Sequence, residues 1–164
     1  MEQRIRRPAF TEDDAAFVAS LPFFFLATAD AEGRPDCSFK GGDPGLARVV
    51  APDLLVFPDY DGNGMFKSLG NIRANPYVGL LFIAVEDKPR RLVALDDPLM
   101  AGFEGAQALV RVTPVDIFPN CPRNIPRMRV VEASPTVPRC GVDRVEPAWK
   151  TYEIFADVVP PRKA

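Results

Sequence analysis

Residues 23–39 read FFFLATADAEGRPDCSF, and this stretch decides the fold class. A nearly continuous apolar run, residues 23–28, precedes Asp30-Ala31-Glu32-Gly33, a group of residues that is typical of tight turns. A second extended stretch follows at residues 35–39. Two short extended runs on either side of a glycine-containing turn predict a β-hairpin, so we expect the chain to be built mainly from strands.

Further strand-like segments follow the hairpin at close spacing. They are short and rich in β-branched or aromatic residues, and the first two flank the turn Ala51-Pro52-Asp53. These segments cover residues 48–50, 54–58, 78–85, 90–95 and 108–117. The pattern predicts a mainly β fold, a small β-barrel with a few short helices, formed by one domain over residues 1–164.

Three helices and a long terminal segment complete the prediction. Thr11 provides an N-cap hydroxyl ahead of three acidic residues, so a helix is expected at about residues 11–20. Residues 65–74 carry apolar side chains at helical spacing, and Asp97-Pro98 opens a short helix that runs to residue 103. The proline-rich residues 119–164 are expected to wrap over the barrel surface.

Composition excludes several classes of function. Twenty basic and 22 acidic side chains give a net charge of −2, which offers no basic surface for nucleic acid. The charged N-terminus lacks a secretory signal and no apolar run reaches the roughly 20 residues of a membrane span, so we expect a soluble, cytoplasmic protein without a membrane partner. Histidine is absent, which excludes Ser-His-Asp and Cys-His nucleophile systems.

Cysteine usage and the missing histidine both bear on cofactors. The three cysteines are widely spaced, which favours reduced thiols over a disulfide framework or a zinc site, so no metal is expected. Without imidazole acid/base chemistry, an enzyme of this composition needs a cofactor to carry the reaction.

Glycines, hydroxyls and cations concentrate in residues 38–42 and 59–71. Glycines let the backbone approach a ligand, N–H groups at a helix start favour an anion, and a lysine such as Lys67 can neutralise a phosphate. A phosphorylated ligand is one interpretation. Residues 61–64 are also typical of an ordinary turn, and a lysine beside a turn is often a solvated surface charge. The residues alone therefore leave both the ligand site and the simple turn open. A calcium loop at Asp59 and Asp61 lacks its terminal glutamate.

The order of short motifs carries a family resemblance. They are SFKGG at 38–42, GNGMF at 62–66, SLGNI at 68–72, NPYVGLLF at 75–82, FPNCPR at 118–123 and EPAWK at 146–150. In order and spacing the chain resembles one bacterial branch of the pyridoxamine 5'-phosphate oxidase-like family. The resemblance covers nearly the whole chain.

This resemblance implies a six-stranded split barrel that forms a homodimer and binds FMN in two equivalent grooves at the subunit interface. In such proteins the phosphate is held by the second strand, the strand before the barrel's helix, and that helix. The matching cofactor-binding positions here are Ser38, Phe39, Lys40, Pro58, Asp59, Asn63, Lys67 and Ser68.

Two further places in the chain have a functional and a structural interpretation. Arg123 follows a rigid proline turn, where it either contacts the substrate or the other subunit's flavin, or is an exposed arginine on a turn. Trp149 and Tyr152 either stack on the flavin ring or anchor the C-terminal segment.

The function implied by the resemblance is an FMN-dependent oxidoreductase that acts on an unidentified small molecule, with NAD(P)H or a small organic compound as electron donor. The alternatives are an F420-dependent reductase of the same barrel family and a non-catalytic flavin- or heme-binding protein. True pyridoxamine phosphate oxidases carry a C-terminal arginine and histidine pair at the substrate, which this histidine-free chain lacks. Residues 90–95 pass directly into Asp96, where relatives have a longer stretch, so the strand near residue 95 is expected to be shortened.

Overall fold

Strands account for most of the regular structure in the computed structural model, which describes residues 6–62, 64–84, 103–121, 123–126, 128–139, 145 and 147–155. Two three-stranded antiparallel sheets are accompanied by two α-helices, so the predicted mainly β fold is confirmed. The elements are α1 (Glu12–Ser20), β1 (Phe23–Ala29), β2 (Pro35–Gly41), β3 (Arg48–Ala51), β4 (Leu54–Tyr60), α2 (Lys67–Ala74), β5 (Gly79–Leu81) and β6 (Ala106–Val112). Two 3-10 turns, Ala148–Thr151 and Glu153–Phe155, lie near the C-terminus.

The first sheet has the strand order β2-β1-β5 and contains the predicted hairpin. Strands β1 and β2 pair over seven residues each, from Phe23 opposite Gly41 to Ala29 opposite Pro35. In the turn, Asp30 Oδ1 accepts hydrogen bonds from the backbone N–H groups of Glu32 and Arg34 at 3.1 and 2.9 Å. This local bonding and the positive φ of Gly33 (+81°) set the hairpin register.

The second sheet has the order β3-β4-β6, with β4 in the centre. Its residues Leu55, Val56 and Phe57 are each 1% exposed. The core forms where this sheet meets β1, since the ring of Phe24 packs edge-on against the ring of Phe57 with centroids 5.0 Å apart. Burying such large apolar side chains is the main stabilising contribution to the fold.

The two helices begin differently. Thr11 is the N-cap residue of α1, the role that the sequence predicts, because its hydroxyl accepts from Asp14 N–H while the Asp14 carboxylate accepts from Thr11 N–H. Burial acts to raise the pKa of Asp14, but hydrogen bonds from Thr11 and Arg7 outweigh it and lower that pKa. Helix α2 begins at Lys67 rather than at Met65, because Phe66 adopts a left-handed conformation (φ 49°) that cannot continue a helix backwards.

Two strand predictions are wrong in length. Strand β5 covers only Gly79–Leu81, and residues 82–84 of the predicted run 78–85 lie outside any strand. Strand β6 begins at Ala106 and ends at Val112, before Pro114, which has no N–H for a ladder. Ile117 forms only an isolated bridge with Arg7.

Other predictions fall outside the described residues. They are the strand at 90–95, its shortening near residue 95, and the helix from Asp97 through residue 102. Among the helices that are described, none has the length and apolar character needed to cross a membrane.

Candidate functional site

Strand β2 presents a row of polar side chains on the inner face of its sheet. Asp36, Ser38 and Lys40 alternate along the strand, opposite Thr28, Leu26 and Phe24 of β1, which are all buried. Because side chains alternate between the two faces of a strand, the three polar groups lie on the same side as the core. The inner face of the sheet therefore changes from apolar on β1 to polar on β2.

Each of these three side chains meets a partner from the segment that ends β4 and begins α2. The contacts are Lys67 Nζ to Asp36 Oδ1 at 2.8 Å, Ser38 Oγ to Ser68 Oγ at 3.2 Å, and Lys40 Nζ to Asp59 Oδ1 at 3.4 Å. Two segments that are far apart in the sequence are thereby joined into a single polar site between the two sheets.

A pocket of about 390 Å³ lies at this junction. The first residues of α2 line it, including Lys67 and Ser68, and no side chain caps the first turn of the helix. The N–H groups of an uncapped first turn carry the positive end of the helix dipole and favour an anion. Hydroxyls, lysines and a helix N-terminus therefore border one small space, which we call the polar pocket.

The two lysines of the polar pocket differ in how firmly they are held. The side chains of Lys40 and Asp59 are only 19% and 11% exposed, whereas that of Lys67 is 56% exposed. An exposed ion pair contributes about 0–1 kcal/mol, so Lys67 can exchange its carboxylate partner for another anion at low cost. Breaking the more buried pair between Lys40 and Asp59 costs more.

Most of the predicted cofactor-binding residues are brought together by the structure. Those that line the polar pocket are Ser38, Phe39, Lys40, Asp59, Lys67 and Ser68. Pro58 is buried within β4 and does not line it, and Asn63 lies outside the described residues. Arg123 is exposed and is not among the lining residues.

Two acidic residues near the pocket were missed by the sequence prediction. Asp36 binds Lys67, and Asp61 contacts the Nζ of Lys150. The alternation of polar side chains along residues 36–40 is a signal that could have revealed Asp36, whereas no local pattern links residues 61 and 150. Asn71 is structural, because its Nδ2 donates to the buried Thr28 hydroxyl at 3.0 Å and thereby fastens α2 to β1.

The outer face of the first sheet is aromatic. The rings of Phe23 and Phe39 stack with centroids 5.2 Å apart, and Phe25 meets each of them edge-on at 5.9 Å. Phe39 is 61% exposed and also lines the polar pocket. These three residues form what we call the open aromatic face, in which Phe23 and Phe25 are half-buried and Phe39 is exposed at the border of the pocket.

A larger groove of about 1380 Å³ runs between α1, β5 and residues 113–129. Its lining is mainly apolar, and none of the described residues that were predicted to bind a cofactor lies in it. In the described parts of the chain, cysteine, aspartate and glutamate side chains nowhere form a group of three or more that could hold a metal ion.

Residues 10–115 match the family model described as Pyridoxamine 5'-phosphate oxidase, a span of more than half of the 164-residue chain. The chain belongs to the pyridoxamine 5'-phosphate oxidase-like family. The predicted membership is confirmed, and the matched span contains every residue that lines the polar pocket. No curated protein and no solved structure matches the chain.

Family membership agrees with the observed architecture and gives a broad functional class. Proteins of the pyridoxamine 5'-phosphate oxidase-like family share a split-barrel fold, are usually dimeric and are generally related to flavin-dependent oxidoreductases. Membership therefore supports a flavin-related function. The matched span ends before Arg123 and before the C-terminal 3-10 turns.

Proposed function

We propose that this protein is an FMN-dependent oxidoreductase that acts on a small molecule, with the phosphate of the cofactor held in the polar pocket. The observation that carries the proposal is the set of three contacts between β2 and residues 59–68, beside the uncapped start of α2. Hydroxyls, ammonium groups and backbone N–H groups are the donors that bind a phosphate dianion.

The residues of the pocket fit a phosphate if Lys67 changes its partner. Lys67 is the more exposed of the two lysines. A phosphate dianion attracts its ammonium group more strongly than the singly charged carboxylate of Asp36 does. Ser38 and Ser68 have hydroxyls 3.2 Å apart that can turn their O–H groups towards an added oxygen. In this proposal Lys40 stays with Asp59 and balances the charge of that carboxylate in the pocket wall.

The other residues predicted to bind the cofactor or the substrate also have proposed roles, which fewer contacts support. Phe39 and Asp59 line the pocket and stay in the proposed cofactor-binding set. Pro58 precedes Asp59 in β4 and is proposed to act by fixing the position of Asp59, and Asn63 belongs in the sequence to the segment between β4 and α2. Arg123 is proposed as a substrate contact.

Bound FMN would supply the electron transfer with an unidentified donor, such as NAD(P)H, and an unidentified acceptor. The chain's own residues bind the phosphate, orient the cofactor and exclude water from one side of it. Such chemistry requires no nucleophilic side chain, which agrees with a chain that contains no histidine.

The open aromatic face supports a homodimer as the working form. Contiguous exposed apolar surface next to a binding pocket is characteristic of an interaction site, and the face borders the pocket through Phe39. A second copy covering Phe23, Phe25 and Phe39 would enclose a flavin ring between apolar walls. Cys37 and Cys121 are free, exposed thiols, which supports the cytoplasm as the compartment.

A pair of substitutions on α2 tests the phosphate assignment. Lys67→Ala is expected to weaken FMN binding by about tenfold or more while changing riboflavin binding by less than about threefold, because only FMN carries the phosphate. Fluorescence titration of both flavins measures this difference.

Arg73→Ala removes a positive charge from the exposed C-terminal turn of the same helix, so it is the matched control and is expected to bind both flavins as the wild type does. Equal losses of FMN and riboflavin affinity in Lys67→Ala would remove Lys67 from the phosphate site. Mass spectrometry of the co-purified ligand separates FMN from F420.

A further inference from the structure

An ion pair outside the three contacts of the polar pocket joins the C-terminal segment to the residues that follow β4. Lys150 Nζ lies against Asp61 Oδ2, and the two side chains are only 13% and 22% exposed. We propose that Lys150 is a positioning residue of the cofactor site, which holds the pocket loop, residues 61, 62 and 64–66, and balances the charge of Asp61 behind the pocket wall. This inference rests on the proposed function.

The pocket loop needs external support because its backbone is unusual. Gly64 has φ +72°, and Phe66 has φ 49°, a left-handed conformation that costs a residue with a side chain about 1–3 kcal/mol when nothing compensates. Gly62, Gly64 and Phe66 all line the polar pocket, so the shape of the loop is part of the binding surface. Asp61 is the first residue of the loop after β4, and its contact with Lys150 fixes the point of entry.

Lys150 is itself presented from a fixed turn. It lies in the 3-10 turn Ala148–Thr151, where its own N–H donates to Pro147 O at 3.1 Å and Thr151 Oγ1 donates to Ala148 O at 2.8 Å. A lysine on an ordered turn loses less conformational freedom on forming an ion pair than a lysine on a mobile chain. The matched family span covers residues 10–115, so Asp61 lies inside it and Lys150 lies outside it.

The charge of Asp61 gives Lys150 a second role. Asp61 lies between Tyr60 and Gly62, which both line the polar pocket, so a largely buried carboxylate that has lost its ammonium partner would leave a negative charge directly behind the pocket wall. That repulsion acts on FMN and is absent for riboflavin. A loss of loop shape would also act on the phosphate pocket, so the two effects are separated by Asp61→Asn, which relieves the charge but does not restore the contact that holds the loop.

Four variants of the full chain test the inference by titration with FMN and with riboflavin. Lys150→Met is expected to weaken FMN binding about tenfold and riboflavin binding less than about threefold. Lys150→Arg keeps the charge and is expected to bind FMN within about twofold of the wild type. Lys150→Met combined with Asp61→Asn removes the unpaired carboxylate and is expected to recover most of the lost FMN affinity.

Arg139→Ala, the fourth variant, is the control for simple detachment of the C-terminal segment. Arg139 forms a two-pronged ion pair with Asp43, with both N···O distances 2.7 Å, and its hydrogen bonds lower the pKa of Asp43. Neither residue lines the polar pocket, so this variant is expected to bind both flavins normally.

The outcomes separate the inference from the proposed function. Wild-type protein that fails to bind FMN, or binds FMN no better than riboflavin, would refute the proposed function itself. Wild-type protein that prefers FMN, together with unchanged binding in Lys150→Met, would refute only the role of Lys150. Equal losses for Lys150→Met and Arg139→Ala would also overturn it, because detachment of the segment would then explain the effect.

Discussion

Both faces of the sheet β2-β1-β5 carry phenylalanine side chains, but these side chains have different surroundings. On the inner face Phe24 and Leu26 are each 1% exposed, whereas on the outer face Phe39 is 61% exposed. Packing within one copy of the chain accounts for the inner face. The described residues leave Phe39 on the outer face largely exposed, and in the proposed homodimer a second copy would cover it. Alternation along β2 thus directs Ser38 and Lys40 towards the polar pocket on the inner face and Phe39 towards the outer face.

Phe24→Ala on the inner face should have the largest effect on stability. The Phe24 ring packs against Phe57 and Phe82 at centroid distances of 5.0 and 5.3 Å, and truncating such a buried ring costs about 3–5 kcal/mol of unfolding free energy. Urea denaturation followed by circular dichroism measures the loss. A loss below about 1 kcal/mol would mean that the two sheets do not pack as described here.

Phe39→Asp on the outer face should act on association rather than on folding. A charge at this position would be buried against a second copy, so the dimer dissociation constant is expected to rise at least about tenfold. Sedimentation velocity over a range of concentrations measures that constant, and the circular dichroism spectrum should stay that of the wild type. A variant that dimerises normally would show that the aromatic face is not the interface.

The hairpin that forms most of this sheet was predictable from residues 23–39 alone. The apolar run, the Asp30 turn and the second extended stretch define the hairpin because their information is local. The lengths of β5 and β6 were not predictable, since they depend on pairing with distant strands rather than on the β-propensity of residues such as those at 82–84.

The candidate site was predictable only in part, for a similar reason. Glycines, hydroxyls and lysines mark residues 38–42 and 59–68, and the family resemblance orders them, but the three cross-segment contacts depend on the register of β2. The partner of Lys67 is Asp36, which carries no motif of its own. The contact of Asp61 with Lys150 bridges 89 residues and has no local signature.

Asp36→Asn should have the smallest effect of these substitutions. It tests whether Asp36, at the polar end of the inner face, competes with the phosphate for Lys67. Removing the carboxylate leaves Lys67 without its competing partner, so FMN affinity is expected to rise about threefold while riboflavin affinity stays the same. Competition titration with the two flavins measures the change. A fall in FMN affinity would show that Asp36 orients Lys67 for the ligand instead of competing with the phosphate.

The most direct test of the central claim is a crystal structure of the protein grown with FMN. We expect the phosphate to lie in the polar pocket within hydrogen-bonding distance of Lys67 Nζ and Ser68 Oγ, with the contact between Lys67 and Asp36 broken. A phosphate bound elsewhere, such as in the larger apolar groove, or a polar pocket that remains closed by the Lys67–Asp36 pair at saturating FMN, would contradict the account.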